Sequence, residues 1–330
     1  MLRGGRDEMN SHRRRTVTAR TTRRDRHGAP SGVLLMSPSD ERNRFLALSN
    51  NGTLPLLDSL SRMPTQRVSP SALADWLMAQ GRHFIGSDEA AQLLDVHPNR
   101  LSVSLQRARE AGKMVSITKG AWVPVPPEFR AAGAPPPLHF IDPLMRHLGH
   151  PYYVGLLSAA RLHGAAHHSP MTTQVVTPAL LRDRSIGAHR LSFVRREATA
   201  DRATTDVGVS TGLVRLSTPE VTVLDLVDAP SLGGGLDNVA TVAGEFVLED
   251  LIDPDRLAAA CGDFPVAVIQ RMGYLVEAAA HAVGTHLDLD HIQHRVERAP
   301  RTLLDNRSGR EGPVDERWRL VVNHGLDPDL

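Results

Sequence analysis

Between residues 69 and 123 apolar side chains recur three times with a helical period, each run is cut by glycine or proline, and the pattern then changes to alternation. That order predicts three short helices followed by a hairpin. In "SPSALADWLMAQGR" Ser69 can cap a helix, Pro70 fits its first position, Leu73, Trp76 and Leu77 repeat at helical spacing, and Gly81 ends it. In "GSDEAAQLLDV" Ser87 is the expected cap and Asp88 and Glu89 sit where the helix dipole favours negative charge. Ala90, Leu93 and Leu94 form its apolar face. Pro98 in "HPNR" stops this helix and opens a third, expected to run to about Ala111 before Gly112. "KMVSITKGAWVPV" then alternates around Lys119-Gly120, as a two-stranded hairpin does. Helix, helix, helix, hairpin is the order of a winged helix-turn-helix, expected over residues 63–123.

Charge collects on the same stretch. Lys113 and Lys119, the only lysines of the chain, open the hairpin and occupy its tip, and the other 36 basic residues are arginine. Residues 97–120 hold five basic side chains against one acid, Glu110. On a helical wheel Leu101, Leu105 and Ala108 face inward, leaving Asn99, Ser102, Val103, Gln106 and Arg107 outward with Arg100 at the flank. This set suits a DNA major groove: Asn and Gln can pair with adenine, Arg with guanine, and Val can touch a thymine methyl. The candidate DNA-binding residues are therefore Asn99, Arg100, Ser102, Val103, Gln106, Arg107, Arg109, Lys113 and Lys119, most of the charge meeting phosphates. The alternative is a solvated helix face beside a small hairpin, or a winged helix that contacts protein.

The length of 330 residues allows two ordinary domains, and the net charge of only +1 is unevenly spread. Residues 1–136 carry 20 basic against 12 acidic side chains, and residues 137–330 carry 18 against 25. The front part is thus expected to meet a polyanion and the rest to do something else. Residues 1–62 are rich in Arg, Ser, Thr, Gly and Pro with little apolar periodicity and are expected to be a disordered tail. "PVPPEFRAAGAPPP" (124–137) is expected to be a stiff polar linker outside any core. In residues 138–330 the runs "FIDPLMRHL", "YVGLLSAARLHG", "TPEVTVLDLV" and "FPVAVIQRMGYLVEAAAHAV" are helical. "TTQVVTP", "HRLSFVRRE", "TTDVGVS" and "GLVRLS" are strand-like, so a mixed or antiparallel sheet packed on helices is expected. The fold class expected is α+β.

No apolar run approaches the roughly 18 residues of a membrane-spanning helix, and Arg13, Arg14 and Arg15 are not followed by the apolar stretch of an export signal, so a cytoplasmic protein is expected. One cysteine, Cys261, excludes an internal disulfide and reads as a small buried thiol. Several motifs have a chemical look. His163 and His167 share a helix-face spacing but lack the glutamate of a zinc protease; Asp288 and Asp290 could hold a metal, or Asp290 could cap the helix "HIQHRVERA". "SLGGGLDN" lacks the dinucleotide-binding spacing and is expected to be a flexible loop. With no nucleophile elbow and no Walker sequence, no catalytic, metal or cofactor site is expected and the chain reads as a non-enzyme.

The strings "ITKGAWVPV", "YYVGLLSAARLHGAAHHSP", "QVVTP", "RDRSIGAHRLSFVRR", "VRLSTPEVTVLDLV" and "WRLVVNHGLDPD" give roughly residues 70 to 325 a resemblance to the AbiEi-type antitoxins of type IV toxin–antitoxin systems, in their actinobacterial two-domain form. The resemblance implies an antitoxin whose N-terminal winged helix binds promoter DNA and represses its own operon. Its C-terminal domain would counteract a nucleotidyltransferase toxin. An acidic second domain without catalytic residues is compatible with a basic partner, and Arg182, Arg184, Arg190, Arg195 and Arg196 would form a local basic patch there. The competing expectations are a one-component regulator whose second domain senses a ligand, and a metal-dependent nuclease using Asp288 and Asp290.

Overall fold

The computed structural model describes residues 67–165, 172–197, 199 and 201–329. The expected tail over residues 1–62, and His167, lie outside them. The first helix, α1 (Leu73–Ala79), begins three residues later than Pro70 predicts, with Ala72 at its N-cap and no side-chain cap. A short strand, β1 (Ile85–Gly86), leads into α2 (Ser87–Leu94). Ser87 is the first residue of that helix and not its cap; its hydroxyl instead accepts the indole N–H of Trp122 at 3.0 Å. A turn of 3-10 helix at Pro98–Arg100 runs into α3 (Leu101–Ser104) and α4 (Gln106–Glu110), divided at Leu105. The hydrogen-bond ladder crosses the division, since Leu105 N donates to Leu101 O and Arg109 N to Leu105 O, both at 2.9 Å.

The hairpin follows as β2 (Met114–Thr118) and β3 (Ala121–Pro124), with a register shift between Ser116 and Thr118. Strand β1 pairs antiparallel with β3, Ile85 opposite Trp122, so the hairpin is part of a three-stranded sheet of order β1-β3-β2. Leu73, Leu77, Ile85, Ala90, Leu94, Leu101, Leu105, Ala108, Met114 and Trp122 form one core beneath the three helical segments.

After the hairpin come α5 (Ile141–Leu148), β4 (Tyr153–Val154), α6 (Leu156–Leu162), β5 (Thr172–Thr177), β6 (Arg184–Ile186), β7 (His189–Arg195), β8 (Thr204–Val209) and β9 (Gly212–Ser217). A helical run follows: α7 (Pro219–Asp228), α8 (Leu236–Leu248), α9 (Pro254–Ala260), α10 (Val266–Ala282) and α11 (Asp290–Val296). Three two-residue strands, β10 (Thr302–Leu303), β11 (Val314–Asp315) and β12 (Leu320–Val321), close the chain. The larger sheet has the order β6-β7-β5-β4-β9-β8 and is mixed: β5 pairs parallel with β7, β4 parallel with β9, and the other neighbours antiparallel. The architecture is α+β.

Side chains alternate across a strand, and here both faces are covered. Val176 of β5 joins Leu224, Phe246 and Met272 of the helical layer, while its neighbour Val175 joins Phe140, Leu144 and Met145 on the other side. That second core also takes in Ile117, Ala121 and Val123 of the hairpin, together with Ile186 and Leu191 of β6 and β7. Residues Pro64–Leu330 make up one compact unit.

Two expectations change. The proline-rich segment is not a polar spacer outside the core: Val125 and Ala134 are buried, as are Pro124, Pro126 and Pro135. Proline carries no N–H to leave unsatisfied, so such a stretch can be buried with few hydrogen-bond partners. The partners it needs are present, Val125 N donating to Lys113 O and Ala188 N to Ala132 O. Gly187 has φ +57 at that crossing, and a Cβ there would come within 2.1 Å of Ala132 O. The triple glycine is likewise a packed turn and not a loose loop. A Cβ on Gly233 would meet Val239 at 2.8 Å and Leu226 at 2.9 Å, and Gly234 and Gly235 hold φ of +80 and +106 as the chain enters α8.

Candidate nucleic-acid interface

The inward face drawn on the helical wheel is the buried face: Leu101, Leu105 and Ala108 are 2%, 0% and 4% exposed. Asn99, Arg100, Ser102, Val103, Gln106, Arg107 and Arg109 all lie exposed, with Val103 at 71%. Solvating an isopropyl side chain to that extent gains nothing for the fold, since burying it is worth about 1.5–3 kcal/mol. His97 positions the start of the face by accepting the N–H of Asn99 on Nδ1 at 3.3 Å.

The charges on this face are not equivalent. Arg100 and Arg107 have no carboxylate within ion-pair distance among the described residues. Gln106 donates to Glu110 Oε1 at 2.9 Å, and the Arg109 guanidinium sits 5.9 Å from the centroid of the Trp122 ring. Lys113 is held by Asp75, Nζ to Oδ2 at 2.9 Å, so part of its charge is already spoken for. Lys119 is exposed at the turn of the hairpin. The hairpin itself is short and docked: a Cβ on Gly120 would meet the ring of His147 of α5 at 3.6 Å, and Thr118 Oγ1 accepts from the guanidinium of Arg184 on β6 at 3.1 Å.

The five arginines expected to form a basic patch divide in the same way. Arg190 pairs with Asp183 at 3.1 Å, Arg195 with Glu197 at 3.1 Å and Arg196 with Asp228 at 2.7 Å. Asp183 also accepts from the backbone N–H of Phe193 and the hydroxyl of Ser192. Desolvation would raise its carboxyl, but these donors and Arg190 outweigh it and hold the group below its ordinary value. Arg182 and Arg184 are exposed and have no carboxylate partner among the described residues.

Residues 153–278 match the family model of the AbiEi antitoxin C-terminal domain. Over those residues the chain is similar to that domain. Among solved structures, the fold is similar to that of the RV2827C protein from Mycobacterium tuberculosis, with a TM-score of 0.55 and 18% identity over 78% of this chain and 92% of that one. The antibiotic-resistance factor ANT(2'')-Ia aligns at 13% identity over 48% of this chain and 95% of its own, but a TM-score of 0.24 carries no structural argument. No curated protein sequence matches the chain.

Several polar groups buried within residues 153–278 meet one another or the backbone. Asp225, 1% exposed, accepts from Tyr153 at 2.8 Å and from Arg202, whose guanidinium also lies 4.0 Å from the Phe264 ring centroid. Burial pushes the Asp225 carboxyl up from its ordinary value, and Arg202 pulls it the other way. His163 of "HGAAHH" bonds Ser217 O at 2.7 Å and stacks edge-on against Phe246, a packing role. Cys261 is buried, which pushes its thiol up to about 11.

Further along the chain, Asp290 begins α11 and pairs with Arg317 at 2.9 Å; this hydrogen bond holds its carboxyl below the ordinary value. Asp288 accepts the N–H of Asp290, so it and not Asp290 satisfies the helix start. No group of three or more metal-binding side chains occurs among the described residues. Nor is any helix among them long and apolar enough to cross a membrane.

Proposed function

We propose that the chain is the antitoxin of a type IV toxin–antitoxin system, with residues 63–123 working as a winged helix-turn-helix on promoter DNA and residues 138–330 counteracting a nucleotidyltransferase toxin. On this reading it represses its own operon, acts in the cytoplasm, and works by binding without catalysing a reaction. The family of residues 153–278 supports the antitoxin half. The DNA half rests on one observation: a short helical segment after a tight Pro98 turn presents Asn99, Arg100, Ser102, Val103 and Arg107 to solvent, and its guanidinium groups at Arg100 and Arg107 pair with no carboxylate among the described residues. Such groups are what major-groove recognition uses, and an arginine pairing bidentately with guanine discriminates by about 1–3 kcal/mol.

The experiment is co-expression. The adjacent reading frame, expressed alone, should arrest growth; the full chain should relieve the arrest, and a chain lacking residues 138–330 should not. A promoter fragment from the same locus should be retarded by the full chain and lose this on Arg100→Ala/Arg107→Ala. A full chain that neither relieves arrest nor binds the fragment removes the reading. A ligand-sensing regulator is less well supported, because a cleft of about 330 Å³ near α5 is lined by Arg82, His83, His139, Asp142 and Arg146, and a larger one of about 510 Å³ by Asp142, Arg146, His150, Asp206 and Arg215. Small-molecule pockets are mostly apolar with few polar groups.

A further inference from the structure

We propose that the duplex is held at a second place, a phosphate-binding edge made by Lys119 of the hairpin together with Arg182 and Arg184 of the AbiEi-matched domain. This rests on the DNA-binding reading above and extends it to residues outside the helix-turn-helix.

The hairpin turn is only Lys119-Gly120, too short to reach far from the body of the protein. Its tip does not stand free: Thr118 accepts from Arg184, and Ile117, Thr118, Leu181, Arg182 and Arg184 line one small cleft. The shared core of Ile117, Ala121 and Val123 with Ile186 and Leu191 fixes the hairpin and the strand relative to one another. A backbone that touches Lys119 is therefore brought beside β6, and no hinge has to close.

The distribution of charge then separates this edge from the rest of the loop. Arg190, Arg195 and Arg196 spend their charge on Asp183, Glu197 and Asp228. Lys119, Arg182 and Arg184 are exposed and make no ion pair among the described residues, and the side-chain hydrogen bond of Arg184 there goes to a neutral hydroxyl. Exposed cations that are not held in an ion pair, as here where the neighbouring Asp183 is taken by Arg190, are suited to releasing counterions from a polyphosphate, a contact that adds affinity without sequence preference.

The test measures the full chain on two duplexes of equal length, the promoter fragment of its own locus and a scrambled sequence, by fluorescence anisotropy between 50 and 200 mM salt. Each phosphate contact steepens the dependence of log affinity on log salt by about 0.9. Arg182→Gln/Arg184→Gln should lower the slope by about two on both duplexes, so that the wild type loses roughly tenfold more affinity over this range than the variant does. Arg182→Lys/Arg184→Lys should restore the slope, which a merely structural role would not predict. Arg190→Gln/Arg195→Gln should leave it unchanged. An unchanged slope in the Arg182→Gln/Arg184→Gln variant, with binding still lost on Arg100→Ala/Arg107→Ala, overturns this edge and leaves the DNA reading standing. A wild-type chain that binds neither duplex overturns both.

Discussion

Arg107 and Arg202 carry the same guanidinium group into opposite surroundings. Arg107 is exposed on α4 and pairs with no acid among the described residues. Arg202 is 7% exposed and packed between Asp225, Tyr153 and the face of Phe264. Taking a charge out of water costs several kcal/mol, so the chain buries one only where an opposite charge and hydrogen bonds answer it. The corollary concerns the exposed group: no carboxylate among the described residues pairs with Arg107 or Arg100, and on the proposed function their charges meet the duplex. The helical face and the buried network therefore respond differently to the same kind of substitution.

The largest effect is expected in the buried network. Asp225→Ala strands the Arg202 guanidinium in the interior and should cost about 3–5 kcal/mol in urea unfolding. Asp225→Leu/Arg202→Met removes both charges and should recover much of that. A single variant that unfolds at the wild-type urea concentration would mean that water reaches Arg202 and that the contrast with Arg107 is false.

On the exposed face the order of effects reverses. Arg107→Ala should weaken binding to the promoter fragment by about 1–3 kcal/mol and change stability by no more than about 0.5 kcal/mol. Equal losses in anisotropy and in thermal unfolding would show that Arg107 supports the fold, and the two regions would then differ only in exposure.

A third, smaller effect lies in the cleft that His83 and His139 line together. His83 and His139 are pushed below 6.5 by burial; His139 is lowered further by His83 and His189 and raised by Glu128, and it also bonds the Ser210 hydroxyl at 3.1 Å. Well above pH 6.5 both histidines are neutral folded or unfolded and contribute nothing to the pH dependence. Below it the unfolded chain takes up protons that the folded chain refuses, so stability falls with pH until the lowered folded values are reached. Melting temperatures at pH 7.5 and 5.5 should show this fall, and His83→Gln/His139→Gln should reduce it. An unchanged fall in the variant would place the titrating groups elsewhere.

The inward and outward faces of the third helical segment could be read from sequence because helical period is local: Leu101, Leu105 and Ala108 needed only their spacing. The strands 172–177, 189–195, 204–209 and 212–217 were legible for the same reason. Order in the sheet was not, since β4 has two residues and pairs with β5 and β9 through partners about 20 and 60 positions away. Nor did any local signal show Ser87 turning from cap to acceptor for Trp122, or the proline segment packing under the hairpin. The basic loop is the clearest case. Five arginines look alike in sequence, and only the folded chain shows that three of them face acids while Arg184 reaches Thr118, 66 positions away.

Lys113 falls between the two kinds of arginine and gives the smallest effect. It belongs to the basic stretch by sequence, yet its ammonium is bound to Asp75 with the pair about one-third and one-half exposed. Exposed pairs contribute about 0–1 kcal/mol, so Lys113→Ala should lower stability by less than that and should weaken DNA binding less than Lys119→Ala does. Asp75→Asn frees the ammonium without removing it. If internal pairing is what withholds a charge from the duplex, Asp75→Asn should steepen the salt dependence of binding by up to about one unit of slope, toward that of a chain with one more free cation. A slope that stays the same in Asp75→Asn and falls by about one in Lys113→Ala would mean that Lys113 meets phosphate while still bound to Asp75, and that an internal partner does not divide architectural from functional charge in this protein.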